Sequence, residues 1–187
     1  MNEIFDEFIG FSRIPRYSRE CIITEKIDGT NAQIYIAPDG IYKAGSRTRW
    51  LTLENDNFGF AAWVEKWHDE LIDGLGPGRH FGEWWGPGIQ RGYGLRTKRF
   101  SLFNVTRWGE GGTKEENLPA CCDIVPILFR GDFTTFNIMA TMQSLEKHGS
   151  YASPGFMRPE GIVIYHIAGN YLFKKTFEKD EKGKENA

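Results

Sequence analysis

A lysine beside an acidic turn is the feature of this 187-residue chain with the clearest chemical meaning. Lys26 lies in the run Thr24–Asn31, between the apolar stretch Cys21–Thr24 and the β-prone stretch Ala32–Ile36. Asp-Gly is a strong turn signal, so the pattern predicts that Lys26 ends a strand and projects from it. A crowded amine loses its proton more readily than a free one, and neutral lysine is a nucleophile near neutral pH.

The pattern Lys-x-Asp-Gly also occurs in many solvated hairpins, so on its own the run favours an ordinary surface turn. In the chemical interpretation Lys26 attacks phosphorus, while Asp28 and Asn31 hold the turn or bind ligand hydroxyls. Further short motifs follow along the chain, and each supplies a group that nucleotidyl transfer needs. Their order favours the chemical interpretation.

Two of these motifs bring phosphate-binding and base-stacking groups to predicted strands. Arg47 and Arg49 follow the strand-like segment Gly40–Ala44, and a guanidinium can bond two phosphate oxygens at once. Phe103 lies in the alternating segment Phe100–Val105 and is available to stack on a purine. The ordinary alternatives are arginines paired with surface acids and a core phenylalanine.

Two carboxylates and a pair of lysines complete the set. Glu83 lies among aromatic residues and glycines in His80–Gly86 and could bind a ribose hydroxyl or a metal. Glu160 opens a strongly β-prone run, and Lys174 and Lys175 lie near the end of the last predicted strand. Each could be an ordinary solvated side chain, but their joint occurrence in this order favours a nucleotidyl transfer site.

This order of motifs resembles that of the covalent nucleotidyltransferase superfamily of DNA ligases, RNA ligases and mRNA capping enzymes. It is most similar to the ATP-dependent RNA ligases of the nick-sealing, phage-type branch, from about Glu25 to Lys174. The resemblance implies an α+β adenylyltransferase domain, ATP-grasp-like, with antiparallel sheets flanking a nucleotide cleft and helices at the periphery.

The resemblance also implies a role for each motif residue. Lys26 becomes covalently adenylated, and the remaining residues bind ATP: Glu25 near the adenine, Asn31 near the ribose or a 5′-phosphate, Arg47 at a phosphate, Glu83 at the ribose, Phe103 against the purine, Glu160 near the α-phosphate, and Lys174 at the α-phosphate. Asp28 and Lys175 are additional candidates. The implied cofactors are ATP as co-substrate and Mg²⁺ or Mn²⁺, with Glu160 as the metal ligand.

Two departures from the family pattern affect this set. The closing family motif has lysines two residues apart, whereas Lys174 and Lys175 are adjacent, so the strand period predicts that Lys175 points away from Lys174. Asn104 follows Phe103, where RNA ligases more often carry aspartate.

The implied reaction is ATP-dependent RNA ligation. Lys26 attacks the α-phosphorus of ATP and releases pyrophosphate, AMP passes to an RNA 5′-phosphate, and an RNA 3′-hydroxyl displaces AMP. The alternatives are a minimal DNA ligase-like adenylyltransferase and a degenerate module that binds nucleotide or RNA without chemistry. A DNA ligase or a GTP-dependent capping enzyme would be expected to carry an oligonucleotide-binding barrel as well.

The length predicts one adenylyltransferase domain at residues 1–177, followed by a charged disordered tail at residues 178–187. Nick-sealing relatives usually add a C-terminal domain that engages RNA. We therefore expect self-adenylation to be more robust than strand joining, for which a companion RNA-binding protein could supply the missing contacts.

A local RNA-binding segment is predicted although the formal net charge is only −2. Arg91, Arg96, Lys98 and Arg99 alternate with glycine and one tyrosine, a pattern suited to a phosphate backbone. A solvated loop is an equal alternative for this segment.

The remaining patterns concern compartment. The three cysteines, at positions 21, 121 and 122, form neither a disulfide framework nor a zinc spacing, which indicates the cytoplasm, or the host cytoplasm for a phage protein. Neither a membrane span nor an N-terminal signal peptide is expected.

Three segments between the motifs have predictable structure. Helical spacing predicts one helix over Asn57–Asp73, capped by Asp56 or Asn57 and stopped by Gly74. A second helix is predicted over Thr134–His148, ending at Gly149. It is expected to bury Phe136, Ile138, Met142 and Leu145. Arg107–Pro119 is expected to be an exposed loop.

Overall fold

The computed structural model describes residues 10–178. In chain order the strands and helices are β1 (Glu20–Lys26), β2 (Thr30–Ile36), β3 (Tyr42–Ser46), α1 (Phe60–Lys66), α2 (His68–Leu75), β4 (Gly78–Trp85), β5 (Arg99–Leu102), α3 (Val105–Trp108), a 3-10 turn (Glu115–Asn117), β6 (Cys122–Ile124), β7 (Ile127–Asp132), α4 (Thr135–His148), β8 (Gly161–His166) and β9 (Tyr171–Thr176). The fold is therefore α+β, as predicted.

The strands within residues 10–178 form two sheets. Sheet 1 has the order β7-β1-β8-β9 and is antiparallel throughout, and sheet 2 has the order β3-β2-β4-β5-β6. Sheet 2 departs from the expected antiparallel pattern at one edge, where β5 and β6 are parallel. The long connection between these two strands contains α3 and the 3-10 turn, and a parallel pair requires such a crossover.

Among the described residues, three apolar clusters hold the layers together. The largest packs one face of sheet 2 against α1 and α2, and the second packs one face of sheet 1 against α4. The third contains Ile22 from sheet 1 with Trp85 and Tyr93, and so fills the space between the sheets. Because this third cluster contains side chains from both sheets, it holds the two sheets against each other.

The prediction of a single helix over Asn57–Asp73 is wrong. The segment forms α1 and α2, separated at Trp67, where the backbone angles are φ −110° and ψ 15°. The N-cap residue of α1 is Gly59, and not Asp56 or Asn57 as predicted, but the side chain of Asp56 accepts hydrogen bonds from the backbone N–H groups of Ala61 at 2.7 Å and Ala62 at 3.1 Å. Gly74 lies inside α2, which ends at Leu75.

The second predicted helix is confirmed as α4. The side chain of Thr134 accepts a hydrogen bond from the backbone of Asn137 at 3.1 Å, and Gly149 follows the helix. Met142 and Leu145 are buried as predicted, but Phe136 is 79% exposed because it lies off the stripe formed by Ile138, Met142 and Leu145.

The segment Arg107–Pro119 is only partly the exposed loop that was predicted. The strand before it ends at Leu102, and the side chain of Asn104 accepts a hydrogen bond from the backbone of Arg107 to cap α3. Trp108, at the end of α3, is 1% exposed and belongs to the core against α1 and α2.

The ends of the chain bear on two predictions. Apart from Glu178, the predicted tail lies outside the described residues, as does the N-terminal segment tested for a signal peptide. Within residues 10–178, every helix is too short or too polar to cross a membrane.

Candidate active site

The Asp-Gly turn connects the two sheets and is not a hairpin. β1 ends at Lys26 in sheet 1, and β2 begins at Thr30 in sheet 2. A Cβ on Gly29 would lie 2.6 Å from the carbonyl oxygen of Trp84 and 2.7 Å from the Cβ of Trp85. Only glycine therefore allows the turn to pack this closely on β4. The solvated hairpin considered from the sequence does not form.

Strand pairing places Lys26 beside Glu160. Residue 161, the first of β8, lies opposite Lys26 on β1, so the preceding Glu160 reaches the end of β1. The Nζ of Lys26 lies 2.6 Å from Oε2 of Glu160, and the two side chains are 26% and 19% exposed. A candidate nucleophile and a carboxylate are thus fixed together in a partly solvated position.

Glu83, on β4, connects the turn to the neighbouring strand β2 of sheet 2. Its two carboxylate oxygens accept hydrogen bonds from the backbone N–H of Gly29 at 3.1 Å and from Nδ2 of Asn31 at 3.0 Å. Asn31 in turn accepts from the guanidinium of Arg47, with 2.8 Å between its Oδ1 and Nε. The register that pairs Asn31 with Glu83 explains why these side chains meet.

Burial raises the pKa of the Glu83 carboxyl to about 7, although the positive charge of Lys26 and the hydrogen bonds from Gly29 and Asn31 act in the opposite direction. The negative charge of Glu160 adds a smaller upward effect. Near neutral pH this side chain can therefore either donate or accept a hydrogen bond.

An open cleft of about 590 Å³ joins these groups. Most of its wall is polar, and it includes Lys26, Asp28, Asn31, Arg47, Arg49, Glu83 and Gln90. Of the residues predicted to bind ATP, the structure thus brings Lys26, Asn31, Arg47 and Glu83 together in one cavity, with Glu160 on Lys26.

The segment that follows β4 braces the turn. Arg91 donates from Nε to Oδ2 of Asp28 at 2.9 Å and also donates to the carbonyl oxygen of Arg158 at 3.2 Å. The backbone N–H of Asp28 donates to the hydroxyl of Tyr93 at 2.8 Å, and Tyr93 is 1% exposed. Burial raises the pKa of the Tyr93 hydroxyl. Neither contact was predicted, since no local pattern links residues this far apart.

These contacts change the interpretation of the predicted RNA-binding segment. Arg91 is directed at Asp28, and Arg99 lies 3.7 Å from the carboxylate of Asp123. Arg96 is exposed and Lys98 is half-buried. The four cations therefore do not form one surface facing solvent.

Glu25 lies away from the cleft. Its neighbour Lys26 occupies the opposite face of β1, and Oε2 of Glu25 accepts hydrogen bonds from the backbone N–H groups of Tyr151 at 2.8 Å and Ala152 at 2.9 Å. Only 1% of Glu25 is exposed, and this burial raises the pKa of its carboxyl. The side chain therefore anchors the loop after α4 and lies outside the wall of the cleft.

Phe103 and Lys174 do not form part of the wall of the cleft. Phe103 follows β5 and is 40% exposed, and its backbone N–H donates to the carbonyl of Phe81 at 2.9 Å. Lys174 of β9 lies opposite Val163 of β8, and Val163 lies opposite Thr24 of β1. Thr24 is two residues from Lys26 on β1, so Lys174 and Lys26 lie on the same face of sheet 1. Lys175 lies on the other face, as the strand period predicts.

The residues present suit a weakly held divalent ion. Within residues 10–178 no three His, Cys, Asp or Glu side chains cluster as a preformed metal site. Glu160 and Glu83 nevertheless both act electrostatically on the site around Lys26. Mg²⁺ commonly takes only one or two protein carboxylates, with phosphate oxygens and water completing its shell, so this donor set fits such an ion.

Comparison with known proteins identifies the class. The family model for RNA ligase matches residues 19–176, so the chain belongs to the RNA ligase family. No curated protein sequence matches the chain.

Solved structures of a Naegleria gruberi RNA ligase share the fold. A glutamate-to-alanine variant with ATP and Mn has a TM-score of 0.65 and 20% identity, over 87% of this chain and 51% of that one. A lysine-to-methionine variant with AMP and Mn has a TM-score of 0.63 and 22% identity, over 86% and 50%. A lysine-to-alanine variant with ATP and Mn has a TM-score of 0.62 and 22% identity, over 84% and 49%. The chain thus spans about half the length of these structures.

Proposed function

We propose that this chain is an ATP-dependent RNA ligase that forms a covalent lysyl-AMP intermediate on Lys26. The observation that carries the proposal is the position of Lys26, whose Nζ lies 2.6 Å from Glu160 at the wall of a polar cleft that also contains Arg47. A degenerate binding module would have no need to hold this amine beside a carboxylate. Membership of the RNA ligase family supports the same conclusion.

In the first step Nζ of Lys26 bonds to the α-phosphorus of ATP, and the bond from that phosphorus to the pyrophosphate oxygen breaks. The amine must first give up a proton, and Oε2 of Glu160 is placed to accept it. Arg47 neutralises phosphate charge, and its orientation is set by the hydrogen bond to Asn31. Glu83 holds Asn31 and is available to a ribose hydroxyl.

ATP and a divalent ion are assigned by analogy with the Naegleria structures, which contain ATP or AMP with Mn. Glu160, with Glu83 nearby, would hold Mg²⁺ or Mn²⁺, which would supply positive charge at the phosphates. Phe103 and Lys174 lie beside the cleft on the two sheets, where they would meet the purine and the α-phosphate if the sheets close on the nucleotide.

The substrate part of the proposal is RNA ends that carry a 5′-phosphate and a 3′-hydroxyl. AMP would pass from Lys26 to an RNA 5′-phosphate, and an RNA 3′-hydroxyl would then displace AMP. A companion RNA-binding protein and a cytoplasmic location remain parts of the proposal. Sealing assays on nicked RNA, nicked DNA and single strands separate this substrate from the DNA ligase-like alternative.

The proposal is tested by incubation with Mg²⁺ and ATP labelled at the α-phosphate. We expect label on the wild-type chain, none on Lys26→Ala, and full label on Lys147→Ala, an exposed lysine on α4 that serves as the control. Competition with unlabelled ATP, GTP and NAD identifies the nucleotide. Persistent label on folded Lys26→Ala would refute the assignment.

A further inference from the structure

We propose that the solvent-facing side of sheet 2 binds a single-stranded segment of RNA that leads into the cleft. The face consists of three aromatic residues, Tyr35, Trp50 and Phe81, with the cations Lys43 and Arg79, and is called the aromatic face below. The proposal rests on the proposed function, because it supplies a binding surface for the RNA substrate of that reaction.

The strand register places these side chains on one surface. Tyr35 on β2 lies opposite Lys43 on β3 and Arg79 on β4, so the three form a row across the sheet. Phe81 lies two residues from Arg79 on β4, in the next row. Side chains two residues apart on a strand point to the same face, and directly paired ones have Cβ atoms about 5 Å apart.

Trp50 joins this surface from outside the strands. It bridges to Gly45 on β3, and a Cβ on Gly45 would come within 3.1 Å of the indole ring. The absence of a side chain at Gly45 therefore lets the indole lie against the sheet. Its ring centroid is 6.3 Å from that of Tyr35.

The cations are held against the rings. The guanidinium carbon of Arg79 lies 5.0 Å from the Tyr35 ring centroid and 5.4 Å from that of Trp50, and Nζ of Lys43 lies 5.8 Å from Trp50. Arg79 also donates to Gln33 Oε1 at 3.0 Å. In the described part of the chain, the ion pairs with carboxylates do not include Lys43 or Arg79.

These observations favour a polyanion with flat bases over other occupants. Trp50 is 42% exposed and Phe81 is 52% exposed, although aromatic rings of this size are normally mostly buried. Exposed aromatic rings stack on bases of any sequence, and neighbouring Lys and Arg neutralise phosphates. Sheet surfaces with exposed aromatic residues stack two or three RNA bases in other RNA-binding folds. A protein partner would instead have to bury both cations.

The aromatic face is continuous with the cleft. β2 carries Asn31 and β4 carries Glu83 on this same face, and the row of Tyr35 and Arg79 lies four residues farther along both strands. At about 3.4 Å per residue this distance is about 14 Å. A strand whose end reaches Lys26 would therefore lie over Phe81 and then over the farther row.

The stacking contribution is tested by fluorescence anisotropy with a labelled, 5′-phosphorylated single-stranded oligoribonucleotide, without ATP. Trp50→Ala and Phe81→Ala should each weaken RNA binding by about 5-fold to 150-fold, as expected for the loss of one base stack. The matched control is Phe136→Ala, which removes a 79% exposed aromatic from α4 and should leave the affinity unchanged.

The charge contribution has a different signature. Arg79→Gln should lower the magnitude of the slope of log affinity against log salt concentration by about 0.7, the value for one phosphate contact to a single strand. Trp50→Ala should leave that slope unchanged. Arg130→Gln, an exposed arginine on sheet 1, is the control.

Self-adenylation measured on the same proteins keeps the two proposals distinguishable. If the wild-type chain takes no label, the proposed function fails. The RNA affinities of the wild type and its variants still test the aromatic face in that case. If Lys26 is labelled and both alanine variants bind RNA like the wild type, only the aromatic face fails.

Two further outcomes also decide the matter. Trp50→Phe keeps a stacking ring and should bind RNA close to the wild-type affinity, so binding as weak as that of Trp50→Ala would overturn the proposal. It would also be overturned if the wild type were a dimer that Trp50→Ala dissociates without loss of RNA affinity, because a second copy of the chain would then occupy the face.

Discussion

Glu83→Gln should change how the stability of the fold depends on pH. Burial raises the pKa of Glu83 from 4.5 to about 7, and the residue is only 7% exposed. In this pH range the folded chain binds more protons at Glu83 than the unfolded chain does, so the free energy of unfolding falls as pH rises from 4.5 to 7. At about 1.36 kcal/mol per pKa unit, the loss is roughly 3 kcal/mol.

The glutamine side chain does not titrate, so the variant lacks this loss. It offers one acceptor oxygen where Gly29 and Asn31 both donate to Glu83, so a constant penalty of about 1–2 kcal/mol is expected at every pH. The difference in the free energy of unfolding between the wild type and Glu83→Gln should therefore fall by roughly 3 kcal/mol as pH rises from 4.5 to 7.

Urea unfolding followed by tryptophan fluorescence across this pH range measures the difference directly. Glu116→Gln, at an exposed carboxylate in the 3-10 turn, should give a curve parallel to the wild type. A wild-type minus Glu83→Gln difference that stays constant with pH would refute the reasoning, because Glu83 would then titrate at the same pH in the folded and unfolded chains.

Two further predictions concern the turn and the last strand. Arg91→Gln should slow self-adenylation by about 10-fold, because it removes the charged hydrogen bond that fixes Asp28, whereas Arg130→Gln should not. Equal initial rates for these two variants would contradict the bracing role. Lys174→Ala should reduce labelling by ATP more than Lys175→Ala does, because only Lys174 shares the face of the nucleophile. Equal losses of labelling in the two variants would contradict the role that the strand register gives to Lys174.

Local patterns in the sequence predicted the parts of this fold that depend on local chemistry. The Asp-Gly turn lies between two strands as expected, and Thr134 and Gly149 correctly marked the ends of α4. The alternation of the last strand separated Lys174 from Lys175. In each case the signal comes from a turn residue, a cap or a strand period that neighbours in sequence determine by themselves.

The parts that were not predicted depend on contacts between remote segments. Nothing in the run around Lys26 shows that its two flanking strands join different sheets, or that Arg91 reaches Asp28. Trp108 was assigned to an exposed loop because glycine and charged residues follow it, yet tertiary packing buries it. Trp50 joins the aromatic face only because β3 carries a glycine at the point of contact.

The separation of the site residues along the chain has a consequence for biogenesis. Lys26 and Glu160 are 134 positions apart, and Gly29 and Glu83 are 54 apart. Closing such long loops is entropically unfavourable until both sheets have assembled. A half-folded chain thus lacks the paired amine and carboxylate. Under the proposed function, covalent capture of the nucleotide would therefore require that both sheets have assembled.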